Sequence, residues 1–544
     1  MNSYHSTRSR TVSCTAKEAI RTGIAPDGGL FVSDGLGTAK LDVAGLAEKS
    51  YQQIARDVLQ LLLPDYTADE IAACVDEAYT GTFASSEVTP LVPLSDNGDG
   101  YVCQNERAAA EHGEAAGDAK ANGAPLSVLE LFHGPTSAFK DVALQMLPRL
   151  MARTSSATAT AAGDGSATSA AGSNNGTSIQ PAEKIMIVTA TSGDTGKAAL
   201  AGFADAPGCG ITVFYPEGKV SHVQELQMTT QTGSNVSVCG VRGNFDDAQS
   251  AVKRIFADRA LADRLAAQGV VLSSANSINV GRLVPQIVYY FAAYAQLLRA
   301  GAITAGDAVE FCVPTGNFGD VLAGYYAKLL GLPVAKLIVA SDKNNVLYDF
   351  LTTGVYDRKR PFFTTISPSM DILISSNLER MLYYLSDGDC ELVASLMDQL
   401  AREGRYEVPA ELLARIQDVF SCGWADEDEV RAAISACWND HRYLIDPHTA
   451  CGYHVLEQVP AAPDARARVL LSTASPYKFP RAVAESLKLD VPADDFACMD
   501  VLAEATGTTP PAQLANLKQA AVLHDDVVDV DDMASYVEHA CQAK

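Results

Sequence analysis

From Lys184 onward, short apolar runs alternate with segments long enough to form helices. The apolar runs are IMIVTA (185–190), ITVFY (211–215), VSVCG (236–240), VVLSS (270–274), VEFCVP (309–314), VAKLIVA (334–340) and RVLLSTA (468–474). Short runs that are apolar throughout, separated by helix-length segments, are typical of buried parallel strands joined by crossover helices. The pattern therefore predicts an α/β fold with a parallel sheet.

Three turns rich in small residues directly follow three of these runs. They are TSGDTG (191–196), TGNFGD (315–320) and STASPYKF (472–479). In open α/β sheets, ligands bind beyond the carboxyl ends of the strands. We therefore expect a binding site at these turns, with the first two of them in one sheet.

Helical periodicity dominates outside this core. Residues 1–90 include LAEKSYQQIARDVLQLLL (46–63) and are predicted to form an N-terminal domain. A catalytic domain is predicted over 91–485, with a helical insertion at 371–445, and a C-terminal extension over 486–544. The most apolar stretch, Leu283–Leu298, is shorter than the roughly 20 residues of a membrane span and contains a proline. It predicts a buried helix.

Three segments lack the apolar residues that a core requires. Residues 154–182 are almost entirely Ala, Ser, Thr and Gly and cannot offset their own ordering entropy, which predicts a disordered loop. Residues 96–125 are rich in Gly, Ala and charge, which predicts a second loop. The acidic run 525–532 is expected on the solvated surface.

Composition narrows the possible partners. The 544 residues exceed what one core usually organises, and 41 Lys and Arg against 66 Asp and Glu give a net charge of -25. Such an excess of negative charge repels phosphate backbones and anionic membranes, so neither nucleic acid nor membrane partners are expected.

Twelve cysteines without a C-x-x-C pair predict a reduced, cytoplasmic protein without a metal site. The basic, Ser-rich start MNSYHSTRSR has some features of a transit peptide but lacks the apolar core of a secretory signal.

A candidate nucleophile lies in the segment LELFHGPTSAFKDVALQ (129–145). Lys140 follows a turn of small residues and begins an apolar helical pattern. Desolvation lowers the pKa of a lysine and makes its amine nucleophilic, as a bond to an aldehyde cofactor requires. From this segment alone, a lysine that extends to solvent from a helix start is an equally good interpretation.

The first two turns are candidate anion sites. In each, a strand, a Gly-rich turn and a helix start follow in that order, which directs free N–H groups at a ligand. The first turn is not a nucleotide P-loop, because Thr191 occupies the position of the first glycine and Ala198 follows Lys197 where Ser or Thr would bind magnesium. The second turn has no lysine, so backbone amides and the helix dipole would bind the anion.

Five strings, in this order, resemble the fold-type II pyridoxal-phosphate enzymes, and specifically the longer-chain threonine synthases: HGPTSAFKD, TSGDTG, ANSINVGR (275–282), PTGNFGD and LSTASPYKFP. YHSTRS (4–9) and IAPDGGLFV (24–32) are also similar to that family, so the resemblance covers nearly the whole chain and argues against a transit peptide. It implies a tryptophan synthase β-like fold, with parallel sheets flanked by helices, an N-terminal domain and a helical insertion.

The resemblance also implies a role for individual residues. The cofactor, pyridoxal 5'-phosphate, would be carried by Lys140 and contacted by Gly316, Asn317, Phe318, Gly319, Asp320, Thr473 and Asp194. The substrate would be bound by Thr191, Ser192, Gly193, Thr195, Lys197, Asn276, Ser277 and Arg282, the last four at its phosphate group. Thr473 would face the pyridine nitrogen, where a hydroxyl does not hold the ring protonated and so disfavours transamination. Asp194 stands where short-chain relatives have Asn, and a carboxylate beside the cofactor's phenolic oxygen would need shared protons.

The implied reaction converts O-phospho-L-homoserine and water to L-threonine and phosphate, in a monomer or weak oligomer. Within the same fold, the alternative is a serine or threonine dehydratase or a cysteine-synthase-like enzyme. From another class, the alternative is a non-catalytic protein that binds a phosphorylated metabolite. His133 and His448 are expected to be hydrogen-bonded structural residues. Helix core positions are expected for Tyr289, Tyr290, Phe291 and Tyr294.

Overall fold

The fold is that of a computed structural model, which describes residues 3–95, 120–121, 123–154, 184–191 and 193–543. The strands in these ranges are β1 (Tyr4–Ser6), β2 (Ser9–Cys14), β3 (Phe31–Ser33), β4 (Leu91–Pro93), β5 (Lys120–Ala121), β6 (Ala124–Glu130), β7 (Lys184–Ala190), β8 (Cys209–Pro216), β9 (Val236–Arg242), β10 (Val270–Ser273), β11 (Ala308–Pro314), β12 (Val334–Ser341), β13 (Val355–Asp357), β14 (Arg405–Glu407), β15 (Phe420–Trp424), β16 (Ala465–Ser472) and β17 (Val527–Asp529).

The α-helices in the same ranges are α1 (Ala16–Thr22), α2 (Tyr51–Leu62), α3 (Ala68–Tyr79), α4 (Lys140–Ala152), α5 (Asp194–Phe203), α6 (His222–Thr229), α7 (Phe245–Ala257), α8 (Arg259–Ala266), α9 (Val280–Arg299), α10 (Gly319–Leu329), α11 (Val346–Thr353), α12 (Leu378–Leu385), α13 (Cys390–Glu403), α14 (Ala410–Val419), α15 (Glu427–His441), α16 (Pro447–Gln458), α17 (Pro480–Ser486), α18 (Asp495–Thr506), α19 (Ala512–Ala515) and α20 (Met533–Ala543).

The predicted strands form two sheets rather than one. A five-stranded parallel sheet has the order β10-β7-β8-β9-β17. A seven-stranded sheet has the order β15-β12-β11-β16-β6-β4, and β5 also pairs with β6. The strands from β15 to β6 are parallel, whereas β4 and β5 are each antiparallel to β6. The expectation that the first two turns share a sheet is therefore wrong. One follows β7 in the smaller sheet and the other follows β11 in the larger sheet.

Helix α9 is the buried helix that the apolar stretch predicted. It packs against α2, α4 and α10, and its aromatic residues Tyr289, Tyr290, Phe291 and Tyr294 are all buried, as expected. Across the described residues, we find no helix that is both long and apolar enough to cross a membrane.

The N-terminal residues form a small antiparallel sheet, β2-β1-β3, and helices α1–α3. The predicted helix over 46–63 begins later than expected, at Tyr51. Ser50 is the N-cap of this helix and forms a capping box with Gln53. The side chain of Ser50 accepts the N–H of Gln53, and the side chain of Gln53 accepts the N–H of Ser50. A side chain that satisfies the first free N–H groups fixes a helix start, and this overrides the apolar pattern upstream.

The segment 371–445 is helix-rich, as predicted, with α12–α15. It also contains two strands that the sequence analysis missed: β14 pairs with β13, and β15 pairs with β12 and forms the edge of the seven-stranded sheet. At the C-terminus, β17 lies within the acidic run and pairs with β9, although the aspartates of that run are exposed as expected.

Part of the second predicted loop is also strand. Residues 120–121 and 124–125 belong to β5 and β6, which pair antiparallel, because β6 is a central strand whose pairing extends to its first residues. Residues 96–119 and 122 of that loop, and residues 155–182 of the predicted disordered loop 154–182, lie outside the described residues.

Candidate active site

Lys140 is the first residue of α4 and lies where the seven-stranded sheet meets that helix. The preceding Phe139 donates its backbone N–H to the carbonyl of Thr473 at 2.8 Å, and Ala138 forms an isolated bridge with Ala474. The turn before Lys140 is thereby attached to the carboxyl end of β16. This brings the backbone at Lys140 close to Thr473. That Thr473 faces the pyridine nitrogen of the cofactor stays a prediction.

The amine of Lys140 has weak polar contacts. Its Nζ lies 3.3 Å from Oγ of Ser369 and 3.9 Å from Oδ2 of Asp194. Burial lowers the pKa of Lys140 to about 8, although the negative charge of Asp194 opposes this shift. A fraction of the amine is therefore neutral near pH 7, and a neutral amine is the form that attacks a carbonyl carbon.

Asp194, the first residue of α5, has a cation at hydrogen-bonding distance. Its Oδ1 lies 2.7 Å from Nζ of Lys478, which is fully buried and also donates to the carbonyl of Thr136 at 2.9 Å. Burial alone would raise the pKa of Asp194, but the charges of Lys478 and Lys140 outweigh burial and hold the pKa well below its usual range. The carboxylate therefore stays ionised by pairing with Lys478. That it would share protons with the cofactor's phenolic oxygen stays a prediction.

The turn before α5 is held by its own side chains. Oγ1 of Thr191 accepts the backbone N–H groups of Gly193 and Gly196, each at 3.0 Å. Gly193 has a φ of 150°, and a Cβ there would lie 2.4 Å from Nε2 of Gln224, so this position requires glycine. Thr195 is half-buried, and Ser192 lies outside the described residues.

The turn before α10 has the geometry of an anion site. Phe318 has a φ of 63°, which is uncommon for a residue with a side chain and is held here by burial against Phe420. The chain then enters α10, whose first N–H groups have no acceptor within the helix and point toward the turn. A Cβ on Gly316 would lie 2.9 Å from the carbonyl oxygen of Ser369, so the backbone approaches closely there.

Asp320 contributes to this turn differently from its neighbours. Its Oδ1 accepts the hydroxyls of Tyr289 at 2.5 Å and Tyr290 at 3.0 Å, so these helix core tyrosines also have a polar role. Burial raises the pKa of Asp320 to about 7 despite these two hydrogen bonds. Its carboxyl group anchors α10 to α9, and its backbone N–H, near the start of the helix, is the group available to an anion.

Two further cations, Arg282 and Lys197, were predicted at the substrate phosphate. Arg282 is buried and donates to the carbonyl of Ala275 at 3.0 Å, but its Nε has no hydrogen-bond partner among the described residues. Burial lowers the pKa of Arg282 to about 10, and its charge in turn lowers the pKa of Lys140. Lys197 donates to Oε1 of Gln231 at 2.7 Å, and burial lowers its pKa to about 8.

Two further predicted phosphate residues lie before α9. Oδ1 of Asn276 is 3.4 Å from the hydroxyl of Thr189, at the end of β7, and the carbonyl of Ser277 accepts a hydrogen bond from Asn377 at 3.2 Å. The structure thus brings Asp194 and Arg282 near Lys140 and joins the turns of Ser277 and Asn317 through Asn377.

Three functional residues were missed from the sequence. Lys478 lies in the quoted string LSTASPYKFP, and a lysine among apolar residues was an available signal. Ser369 contacts both Lys140 and Asp194, and Asn377 contacts two turns, yet neither lies in a recognisable motif.

The two histidines are hydrogen-bonded within the structure, as expected. His133 lies 2.6 Å from Oε2 of Glu130. His448 has Nδ1 2.7 Å from Asp446, and its Nε2 accepts the backbone N–H of Ser369. His448 therefore supports the loop that carries Ser369.

The residues present fit pyridoxal 5'-phosphate. An aldehyde needs a desolvated lysine, which Lys140 provides, and a phosphate needs a tight turn at a helix start, which Gly316–Asp320 provides. The unpartnered Nε of Arg282 is a buried donor beyond those that the cofactor requires. This leaves a cation for a second anion.

Comparisons with known proteins agree with this geometry. A sequence model for "Threonine synthase N terminus" matches residues 3–79, one for "Pyridoxal-phosphate dependent enzyme" matches 114–473, and one for "Threonine synthase, C-terminal" matches 449–532. Threonine synthase of Saccharomyces cerevisiae is 36% identical over 517 residues, which cover 89% of each chain. "Threonine synthase-like 1" of Homo sapiens is 35% identical over 96% of this chain, and the match spans 66% of that longer protein.

Solved structures give the same result. Pyridoxal-phosphate-bound threonine synthase from Brucella melitensis superposes with a TM-score of 0.80 at 35% identity, covering 100% of both chains. The yeast threonine synthase structure gives a TM-score of 0.80 at 32% identity, covering 99% of this chain and 98% of that one. These matches over nearly the whole chain show that it belongs to the threonine synthase family of pyridoxal-phosphate-dependent enzymes.

Proposed function

We propose that the protein converts O-phospho-L-homoserine and water to L-threonine and inorganic phosphate, the last step of threonine biosynthesis. One observation favours this proposal over the alternatives. Arg282 is a buried cation near Lys140, and its Nε has no hydrogen-bond partner among the described residues. It does not belong to the turn at Gly316–Asp320, which suits the phosphate of the cofactor. Two separate anion sites at one lysine are what an enzyme with a phosphorylated cofactor and a phosphorylated substrate needs.

The cofactor would be held by residues from both sheets. Lys140 would carry it, the amides of Gly316–Asp320 would bind its phosphate, and Thr473 would face its pyridine nitrogen. When bound, pyridoxal phosphate supplies an electron sink for negative charge on the substrate carbons. Ionised Asp194 and its partner Lys478 would lie beside the reacting groups and keep the local charge balanced.

Lys140 would then move protons on the substrate. Its amine titrates near pH 8, so it can both accept and return a proton at neutral pH. Such an amine can remove the proton from Cα. It can also remove and return protons at Cβ as the phosphate leaves and water adds. The thirteen-residue helix that begins at Lys140 is buried along most of its length. Its packing fixes the backbone position from which the amine extends.

Arg282 and Lys197 would bind the substrate phosphate. The planar guanidinium of arginine matches the geometry of a phosphate, and a lysine adds a compact charge. Asn276 and Ser277 lie on the turn between β10 and α9 and would complete this group. The turn at Thr191–Thr195 would bind the α-carboxylate through the N–H groups at the start of α5, because the N–H of Gly193 already donates to Oγ1 of Thr191.

A comparison of substrates tests the proposal. Purified protein would be incubated separately with O-phosphohomoserine, homoserine, serine and threonine, while phosphate, amino acids and keto acids are measured. We expect phosphate and threonine from O-phosphohomoserine and little product from the other three. Keto acid formed from serine or threonine would instead support a dehydratase, which has no use for the cation at Arg282.

A non-catalytic binding protein is the alternative from another class. Such a protein would bind a phosphorylated metabolite but would not need a desolvated lysine with a pKa near 8. Absence of turnover with every substrate, together with tight binding of O-phosphohomoserine, would favour it.

The remaining assignments are also proposals. We infer an N-terminal domain over 1–90, a catalytic domain over 91–485 and a C-terminal extension over 486–544, in a cytoplasmic monomer or weak oligomer. The eleven cysteines of the described residues are all unpaired, which supports a reducing compartment.

A further inference from the structure

Asn377 precedes helix α12, yet its side chain does not cap that helix. The residue is fully buried, and its Nδ2 lies 3.2 Å from the carbonyl oxygen of Ser277 and 3.3 Å from that of Asn317. Its backbone N–H also donates to Asn317, at 3.2 Å. A residue type that commonly caps helices is used here to hold the carbonyls of two separate turns.

Arg380 fixes the orientation of that amide. Its Nη1 donates to Oδ1 of Asn377 at 2.5 Å, and because a guanidinium has no acceptor, the amide oxygen must face Arg380. The NH₂ group must then face the two carbonyls. Arg380 is itself fully buried, and it also donates to the carbonyls of Ile278 at 2.6 Å and Phe31 at 2.9 Å.

These contacts join turns that belong to different sheets. Ser277 and Ile278 follow β10, at the edge of the five-stranded sheet, whereas Asn317 follows β11 in the seven-stranded sheet. Strand pairing therefore does not set the distance between the two turns. Packing of α9 against α10 holds the helices that follow, and the side chain of Asn377 holds the turns themselves.

We propose that Asn377, oriented by Arg380, is a positioning residue that sets the distance between the cofactor-phosphate turn and the substrate-phosphate turn. This inference rests on the proposed function. A substrate attached to the cofactor spans both anion sites at once, so it depends on their separation, whereas free phosphate or free cofactor depends on one site alone. The residue would thus select for a phosphorylated side chain of one length.

The test is Asn377→Asp. This change keeps the size of the side chain and an oxygen for Arg380, but it replaces the two N–H donors with an acceptor that faces two carbonyls. We expect kcat/KM for O-phosphohomoserine to fall about tenfold or more, because near-attack geometry is lost. Inorganic phosphate and pyridoxal phosphate, each titrated separately and followed by calorimetry, should keep dissociation constants within about threefold of the wild type, because each of these ligands uses one turn.

Asn235→Asp is a matched control. Asn235 also donates its Nδ2 to two carbonyls, those of Phe203 at 2.8 Å and Cys209 at 3.0 Å, and its Oδ1 accepts a backbone N–H. It lies just before β9, at the opposite end of the strands from the site. This variant should lower the melting temperature while kcat/KM stays within about twofold, because it breaks a similar bridge at a distant place.

Two results would overturn the proposal. One is unchanged kcat/KM in Asn377→Asp, and the other is a parallel loss of kcat/KM and of phosphate or cofactor affinity, which would mean that a turn itself had collapsed. If Asn377→Asp does not fold, Arg380→Lys is the second variant, because it keeps the charge but loses the planar guanidinium that orients Asn377. It should lower kcat/KM by a smaller factor and leave the affinities for phosphate and cofactor unchanged. A wild-type protein that does not turn over O-phosphohomoserine would refute the proposed function before any variant is compared.

Discussion

Two lysines lie near one carboxylate at the centre of the site, at unequal distances from it. Lys478 has Asp194 at 2.7 Å and a carbonyl at 2.9 Å, whereas Lys140 has the same carboxylate only at 3.9 Å. A buried carboxylate is stabilised by a cation at hydrogen-bonding distance, so Asp194 is paired chiefly with Lys478. Lys478 thus occupies the carboxylate that would otherwise pair with Lys140.

Removal of Lys478 should change the protonation of Lys140. In Lys478→Met, Asp194 would pair with Lys140 alone, so the pKa of Lys140 should rise above about 8. The midpoint for cofactor attachment to the apoprotein should move by about one pH unit or more toward alkaline pH. The added change Asp194→Asn should reverse that shift.

Lys336→Met serves as the control for Lys478→Met. Lys336 also donates to backbone carbonyls, those of Gln417 and Asp418, but lies away from the site. Its loss should leave the midpoint in place. An unshifted midpoint in Lys478→Met as well would mean that Lys478 has a purely structural role.

Arg282 should respond to substitution in a graded way. Arg282→Lys keeps the charge and loses the planar fork, and Arg282→Ala loses both. Charge-assisted hydrogen bonds contribute about 1.5 to 3 kcal/mol each, so alanine should lower kcat/KM for O-phosphohomoserine about tenfold or more, with lysine intermediate. Inhibition by inorganic phosphate should weaken in parallel while the absorbance of the bound cofactor remains. Loss of thermal stability and cofactor with unchanged phosphate inhibition would contradict the assignment.

At the scale of elements, the turn before α10 is tested by adding one methyl group. In Gly316→Ala, the new Cβ would lie 2.9 Å from a backbone oxygen of Ser369, which cannot rotate away. Affinity for pyridoxal phosphate should fall about tenfold as the turn is displaced. In Gly35→Ala, the new Cβ would meet Oγ of Ser33 at an ordinary 3.7 Å, and cofactor affinity should be unchanged. Equal affinities in the two variants would place the cofactor phosphate elsewhere.

The junction of α9 and α10 should make stability depend on pH. Burial raises the pKa of Asp320 from 3.8 to about 7, so the folded state holds its proton more tightly than the unfolded state. The stabilisation is complete below about pH 4 and is lost as pH rises to about 7, by up to about 1.4 kcal/mol per pH unit. Asp320→Asn should remove this contribution, so the difference in unfolding free energy between wild type and variant should change across that window. A constant difference from pH 4 to 7 would show that the carboxyl group is not protonated on folding.

Local patterns predicted elements well where the deciding interactions are local. Strands β7–β12 and β16 and helix α9 follow from short apolar runs and helical periodicity. Strand β15 was missed because five residues, FSCGW, lie between helices and owe their conformation to pairing with β12. The start of α2 was misplaced because the capping box at Ser50 competes with an apolar pattern that continues upstream.

At the scale of the whole molecule, the sequence could supply the parts of the site but not their arrangement. Lys140 and the glycine turns are visible because each depends on neighbours in the chain. Ser369 contacts Asp194 across 175 residues, and no periodicity encodes such a pair. The division into two sheets was equally hidden, since apolar runs predict that strands exist and not which strands pair. Family resemblance compensated for this at the quoted motifs, and the residues between motifs needed the structure.

The most direct test of the account is a simultaneous measurement of L-threonine and inorganic phosphate formed from O-phospho-L-homoserine by the wild type and by Lys140→Ala. The account predicts equal amounts of the two products from the wild type. It predicts neither product from Lys140→Ala, which should remain folded because Lys140 has few strong contacts. Phosphate without threonine, or turnover that survives in Lys140→Ala, would contradict the central claim that this lysine and its two anion sites form a threonine synthase.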